Sequence, residues 1–154
     1  YSLATRAPEL GLVQACAELH VSLVAFSPVG RSMLTDHPVS QAVAATLPFL
    51  GQNPRSQPEA YRANRALSDG FRRLAAEMAV PTAALAIAWA LHQGEMILPI
   101  PGTRSVRHFQ ELLRGAHLTL SAEDLARIEA VLPKGWAHGD RYSPSQWAGI
   151  ERYC

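Results

Sequence analysis

The sequence predicts an α/β fold with a parallel sheet, of which only part is present. Two short apolar runs, V-S-L-V-A-F at 21–26 and M-I-L-P-I at 96–100, fit strands that are buried on both faces. Segments of helical periodicity alternate with these runs, as in proteins with parallel sheets. Two strands alone would leave both sheet edges open and largely apolar. We therefore expect further strands that these 154 residues do not supply.

The first helix is predicted from about Pro8 to Leu19. Proline suits a first helical turn, and Leu12, Ala15 and Leu19 share one face. The first strand follows and ends abruptly at S-P-V-G, residues 27–30.

The segment 31–57 is predicted to be a long irregular loop. It carries prolines at 38, 48 and 54 and a glycine at 51. Loops of this length are uncommon in compact domains and are usually functional or disordered.

The remaining sequence predicts four more helices and the second strand. One helix ends before Pro81, and an alanine-rich helix runs from about Thr82 to Gln93 with Gly94 after its end. A third stops at Gly115, and S-A-E-D at 121–124 is a capping box for the fourth. The apolar positions that share a face are Leu67, Phe71, Leu74 and Met78, then Val106, Phe109 and Leu113, and finally Leu125, Ile128 and Leu132.

Residues 133–154 form a tail rich in aromatic residues, glycine and proline. Irregular coil that packs across the fold is expected there. The aromatic residues concerned are Trp136, Tyr142, Trp147 and Tyr153.

Composition excludes several function classes. The chain has 14 basic and 13 acidic residues with no long run of either sign, so nucleic acid and anionic membranes are not expected partners. No apolar stretch approaches the length of a membrane span and no secretion signal is visible, so we expect a cytoplasmic protein. The chain begins at Tyr1 rather than Met, which suggests processing or a piece of a longer protein.

Few residues suit covalent or metal chemistry. The six histidines show no metal-ligand spacing, and Cys16 and Cys154 do not indicate a disulfide scaffold. Cys16 fits a small buried residue, and Ser27 lacks the G-x-S-x-G context of a hydrolase nucleophile. The only lysine, Lys134, lies in a P-K-G turn that is typical of an exposed position.

Both predicted strands end in a hydroxyl and a glycine, at the end where α/β folds bind ligands. The segment P-G-T-R-S at 101–105 also leads into a helix N-terminus, which favours an anion. Thr103, Arg104 and Ser105 could surround a phosphate. Alternatively, Ser105 is only a helix cap and Arg104 a solvated charge.

These motifs together resemble the aldo-keto reductase family. V-A-F-S-P-V-G-R at 24–31 is similar to the family segment A-Y-S-P-L-G-R, and L-P-I-P-G-T-R at 98–104 to its cofactor-binding I-P-G-T-R. Y-S-L at 1–3, N-P-R at 53–55 and G-D-R-Y at 139–142 also agree. The resemblance covers essentially the whole chain. It implies the C-terminal half of a (β/α)₈ TIM barrel, with 31–57 as an active-site or cofactor loop and the first half of the barrel missing.

The resemblance also implies NADPH as cofactor and a small aldehyde or ketone as substrate. Phe26 would stack on the nicotinamide ring in place of the family's usual tyrosine. Ser27, Val29 and Gly30 would approach the pyrophosphate.

The second strand end would hold the adenosine 2′-phosphate. His108 and Leu112 stand where the family has arginine and asparagine, and Arg107 offers a neighbouring guanidinium. The expected contacts are Gly102, Thr103, Arg104, His108 and Glu111.

No residue matches the family's catalytic Asp, Tyr, Lys and His, which belong to the first half of the barrel. We therefore expect no turnover by this chain alone. A non-catalytic nucleotide-binding or partner-assembling module of the same fold is the alternative. A nucleotide switch unrelated to redox chemistry is disfavoured, because no Walker-type loop occurs.

Overall fold

A computed structural model describes residues 1–148 as an α/β fold with two parallel strands. Helices flank the sheet and alternate with its strands, as the sequence predicts. In chain order the elements are α1 Leu12–Glu18, β1 Leu23–Phe26, α2 Gln41–Thr46, α3 Pro58–Glu77, α4 Thr82–His92, β2 Ile97–Ile100, α5 Val106–Ala116 and α6 Ala122–Val131.

One face of the sheet is covered and the other is exposed, so the prediction of strands buried on both faces is wrong. Ala25 and Ile97 are buried against the helices. Side chains alternate along a strand, so their neighbours point the other way. Within residues 1–148 no element covers that second face, where the exposed side chains are Val24, Phe26, Leu98 and Ile100.

The core lies around α4, which is buried on nearly every side. Leu85 and Trp89 of α4 pack with Phe71 of α3 and with Ile128 and Leu132 at the end of α6. The alanines of α4 permit a close approach to α5. A Cβ on Gly115 would lie only 2.5 Å from the carbonyl oxygen of Ala84.

The predicted first helix is two elements rather than one. A 3₁₀ turn spans Ala7–Leu10, Gly11 breaks the helix with φ of +141°, and α1 follows. That φ lies outside the helical region and is accessible mainly to glycine. The buried residue of α1 is Cys16, whereas Leu19 of the predicted apolar face is exposed.

The segment 31–57 is less irregular than predicted. Ser40 caps α2, because its hydroxyl accepts a hydrogen bond from the backbone N–H of Val43 at 3.3 Å. Two 3₁₀ turns follow at Leu50–Gln52 and Pro54–Ser56.

Helix α5 turns a different side to the core than its periodicity suggests. Leu112 and Gly115 are buried, whereas Val106, Phe109 and Leu113 are 75%, 56% and 47% exposed. The apolar stripe is real, but no described element covers it.

The described part of the tail, residues 133–148, packs across the fold, as predicted, and includes a 3₁₀ turn at Pro144–Trp147. The indole N–H of Trp136 donates to the backbone oxygen of Leu3 at 2.9 Å. Tyr153 and Cys154 lie outside the described residues. Within residues 1–148 no single helix is long and apolar enough to cross a membrane; α3 and α4 meet that test only jointly, with a 92° bend between them.

Candidate cofactor-binding site

The parallel register places the two loops with predicted cofactor contacts at the same edge of the sheet. Leu23 pairs with Ile97 and Phe26 with Ile100, so both strands end level with one another. The loops that begin at Ser27 and Pro101 therefore emerge side by side. This is the edge where α/β folds place ligands.

The first of these loops is a tight turn with several left-handed residues. Ser27, Gly30, Arg31 and Ser32 have φ values of +55°, +59°, +56° and +74°. Such values are uncommon for residues other than glycine. The resulting turn forms a wall between two cavities: Phe26, Ser27 and Gly30 line the first, and Val29 and Ser32 line the second.

The first cavity lies beside Phe26 and has a volume of about 60 Å³. Its wall contains Arg31, Arg55 and Arg141, none of which the sequence analysis assigned to the site. The guanidinium of Arg141 lies 4.4 Å from the centre of the Phe26 ring. A nicotinamide that stacks on Phe26 would therefore use the opposite face of the ring or displace Arg141.

Positive charge is concentrated in this wall. Burial, together with the charges of Arg31 and Arg141, lowers the pKa of the Arg55 guanidinium to about 10. Burial also lowers the pKa of Arg31. Asp140 is the acidic group that partly offsets the repulsion at Arg55.

One backbone oxygen joins the loop 31–57 to the tail at this cavity. The carbonyl of Arg141 accepts hydrogen bonds from Arg31 Nη1 at 3.0 Å and from Asn53 Nδ2 at 2.7 Å. Next to it, Gly139 sits so close to the loop that a Cβ would lie 2.9 Å from the backbone of Pro54.

The second cavity, of about 190 Å³, lies between this loop and the N-terminal end of α5. It is lined by five of the predicted contacts, namely Val29, Gly102, Thr103, His108 and Glu111. Arg104 is exposed and lies outside the lining of both cavities. The nine predicted contacts are thus divided between two neighbouring cavities and one exposed side chain.

Glu111 brings negative charge to a site predicted for a phosphate, and Arg107 compensates it. Arg107 Nε lies 3.0 Å from Glu111 Oε1, and its Nη2 lies 3.3 Å from Nε2 of His37 in the loop. Ser105 is a helix cap, since its hydroxyl accepts a hydrogen bond from the N–H of His108 at 3.4 Å.

The start of the loop is fixed to α3 and α4. Asp36 accepts hydrogen bonds from the backbone N–H and the hydroxyl of Thr82, at 3.2 and 2.6 Å, which caps α4. Arg72 donates to the backbone oxygens of Met33 and Thr35, each at 3.0 Å.

Lys134 and Tyr1 are engaged with Glu9. Lys134 Nζ lies 2.7 Å from Glu9 Oε2, with its side chain 64% exposed. Tyr1 lines the first cavity, but its hydroxyl donates to Glu9 at 2.8 Å. Burial, with the hydrogen bond to Glu9, raises the pKa of Tyr1. Among residues 1–148, no three His, Cys, Asp or Glu side chains form a group that could hold a metal ion.

Sequence comparison places the chain in a known protein family. The model of the aldo/keto reductase family matches residues 1–133. The chain belongs to the aldo/keto reductase family. This confirms the resemblance seen in its motifs.

Two curated relatives illustrate the match. The chain is 31% identical over 150 residues to the aldo-keto reductase yakc [NADP(+)] of Schizosaccharomyces pombe, a match that covers 97% of this chain and 44% of the relative. It is 34% identical over 142 residues to the probable aldo-keto reductase 1 of Glycine max, covering 92% of this chain and 41% of that protein. The chain thus spans less than half the length of either relative.

Solved structures support the fold. The glycerol dehydrogenase of Gluconobacter oxydans matches with a TM-score of 0.70 at 18% identity, covering 94% of this chain and 43% of that one. A thermostable aldo-keto reductase crystallised with the inhibitor epalrestat matches with a TM-score of 0.57 at 22% identity, covering 85% and 37%.

Proposed function

We propose that this chain is the C-terminal half of a (β/α)₈ reductase barrel and supplies the cofactor-binding loops. The observation that carries the proposal is the level ending of β1 and β2, from which the loop that begins at Ser27 and the loop that begins at Pro101 emerge side by side. The match of the chain to less than half of its curated relatives agrees with a half-barrel.

The residues of the two cavities fit a dinucleotide with phosphate groups. Glycines and hydroxyls at both strand ends allow a close approach of the backbone to phosphate oxygens. In the second cavity Arg107 neutralises Glu111, so the carboxylate does not exclude a 2′-phosphate. Arg104 would hold that phosphate from the exposed side and favour NADPH over NADH.

When bound, reduced nicotinamide supplies a hydride to an aldehyde or ketone. Phe26 would orient the ring by stacking, and the loop 31–57 would cover the cofactor. The carbonyl oxygen also needs a proton, and we assign its donor to the half of the barrel outside this chain. The observed engagement of Tyr1 and Lys134 with Glu9 supports that assignment.

The test is a fluorescence titration of the purified chain with NADPH and with NADH. We expect NADPH to bind, and Arg104→Gln to weaken it about tenfold while NADH is unaffected. Arg114→Gln, which removes a charge from the last turn of α5, is the control. Absence of NADPH binding by the folded chain would contradict the cofactor role.

A turnover assay tests whether the proton donor belongs to the half of the barrel outside this chain. With NADPH and an aldehyde present, this chain alone should show no carbonyl-dependent oxidation of the cofactor. Turnover would refute the assignment of the proton donor to the other half.

The exposed apolar surfaces favour the second candidate, a module that assembles with a partner and does no chemistry itself. The uncovered sheet face and the α5 stripe are surfaces of the kind that a folded protein usually covers. The partner we propose is the half of the barrel that lies outside this chain. Co-expression of this chain with the corresponding half of a related reductase distinguishes the two candidates. If this chain is a reductase half, carbonyl reduction is restored; if it is only an assembly module, the two halves associate without turnover.

A further inference from the structure

Two histidines line the second cavity, one from each of the elements that enclose it. His37 belongs to the loop 31–57, and His108 lies in the first turn of α5. Both residues are exposed, so solvent protons and a bound anion can reach their rings. Histidine is the side chain whose charge ordinarily changes between pH 5 and 8. The charge of this lining therefore depends on pH near neutrality.

The acidic side chains of the same lining already have partners. Asp36 accepts hydrogen bonds from the backbone N–H and the hydroxyl of Thr82. Glu111 lies 3.0 Å from Nε of Arg107. Because Arg107 balances Glu111, neither adds net charge to the cavity. Within this lining, a change of pH near neutrality acts on a bound phosphate through the imidazoles.

The contacts of the two rings assign this titration to His108. Arg107 Nη2 lies 3.3 Å from Nε2 of His37. A guanidinium can only donate hydrogen bonds, so Nε2 is the acceptor and this contact requires the neutral His37 ring. The cation of Arg107 also opposes a further cation on His37. Within residues 1–148 the His108 ring makes no hydrogen bond or ion pair, so it is available to take up a proton.

The fixed charges around the His108 ring balance one another. Two of each sign lie on the loop, on α5 and after β2, namely Asp36, Glu111, Arg104 and Arg107. The residue that α4 adds to the lining, Ala83, is apolar. A dianionic phosphate would disturb this balance and favour the protonated ring.

We propose that His108 makes the preference of this chain for NADPH over NADH depend on pH. The protonated ring donates a charge-assisted hydrogen bond to the 2′-phosphate, which NADH lacks. The preference is therefore strongest where the ring is protonated and declines as pH rises. Arg104 supplies the part that does not change with pH, since a guanidinium keeps its charge. This inference rests on the proposed function, because it requires the 2′-phosphate in the second cavity.

The test is calorimetric titration of the purified chain with NADP⁺ and NAD⁺ from about pH 6 to 8.5 at constant ionic strength. The oxidised forms serve because they carry the same phosphates. The ratio of the two dissociation constants cancels the titration of groups that both dinucleotides contact. We expect the preference for NADP⁺ to rise about fivefold from pH 8 to pH 6, as for one exposed charge pair. Below about pH 6 the phosphate itself takes up a proton, which ends the useful range.

Substitutions at one position separate charge from shape. His108→Gln cannot gain a charge and should hold the preference at its high-pH value throughout. His108→Arg carries a permanent charge and should keep the preference high at every pH. Arg104→Gln should lower NADP⁺ affinity at all pH values without changing the pH dependence. His117→Gln, an exposed position just after α5, is the matched control and should behave as the wild type.

Proton NMR of the imidazole rings follows the same event without any turnover. The His108 signals are identified by their loss in His108→Gln. We expect NADP⁺, but not NAD⁺, to keep this ring protonated to a higher pH than in the free chain.

The outcomes distinguish this inference from the proposed function. If both dinucleotides bind and the preference ignores pH, or follows pH equally in His108→Gln, the inference is overturned and the proposed function stands. A pH dependence that disappears in His37→Gln alone would also overturn it. If neither dinucleotide binds at any pH, the proposed function fails and the inference fails with it.

Discussion

Replacement of Gly115 by alanine should destabilise the fold, although alanine is the better helix former. Gly115 packs α5 against α4, where an added Cβ would lie 2.5 Å from the Ala84 carbonyl oxygen and 2.8 Å from Cβ of Ile87. The first distance is roughly 0.9 Å short of ordinary contact, which begins at 3.4 Å. Since Ala84 meets the new methyl group with its backbone, no side-chain rotation relieves the clash.

The expected loss of stability follows from two opposed terms. Glycine to alanine gains at most about 1 kcal/mol in a helix, and Gly115 lies in the last turn of α5, where the gain is smaller. Overpacking of a tight contact costs about 1–3 kcal/mol, and a backbone clash on this scale belongs at the upper end. We therefore expect Gly115→Ala to lower the free energy of unfolding by about 2 kcal/mol.

Urea unfolding followed by circular dichroism measures this change. Gly70→Ala in α3 is the matched control, because its Cβ would meet only side-chain atoms, of Val131 at 3.2 Å and of Arg73 at 3.7 Å. We expect that variant to be as stable as the wild type or more so. If Gly115→Ala were also as stable as the wild type, the close packing of α4 and α5 would not be the constraint we describe.

Two further predictions concern side-chain hydrogen bonds. Ser121→Ala removes the cap of α6 and should cost about 1 kcal/mol. Hydrogen bonds from the Ser121 side chain and backbone also lower the pKa of Asp124 in the folded state. The stability that these bonds to the Asp124 carboxylate contribute should therefore be present above about pH 4, the ordinary aspartate pKa, and disappear as pH falls through the lower folded value. Acid unfolding that is unchanged by Ser121→Ala would contradict this origin. Trp136→Phe leaves the buried backbone oxygen of Leu3 without its indole donor and should cost about 1–3 kcal/mol in a urea titration. Trp147→Phe is the comparison, because the half-buried indole of Trp147 donates to the Asp140 carboxylate, at 3.3 Å, instead of to a buried backbone oxygen. An equal loss in both would argue against a specific role for the Trp136 bond.

Local sequence signals predicted most of the elements, because each depends on neighbouring residues. The capping box at Ser121 forms as expected, and Gly94 follows the end of α4. The helix break at Gly11 was missed, although a glycine three residues after Pro8 was a visible signal. Helix α2 was also missed, since its cap Ser40 begins a run of only six helical residues.

Burial was predicted less well, because it depends on what covers a face. Val24 and Phe109 are as apolar as core residues, yet both are exposed within residues 1–148. Periodicity predicts which residues of a helix form an apolar stripe, but not which element packs against that stripe. The same limit hid the arginine cluster, since Arg31, Arg55 and Arg141 are far apart in sequence and meet only after the loop and tail have packed.

The shared acceptor at the first cavity couples two hydrogen bonds that join the loop 31–57 to the tail. Arg31 and Asn53 both donate to the carbonyl oxygen of Arg141. A displacement that carries this carbonyl away from both donors removes the two bonds together. Their contributions to stability should therefore not be additive, because the two donors share one partner.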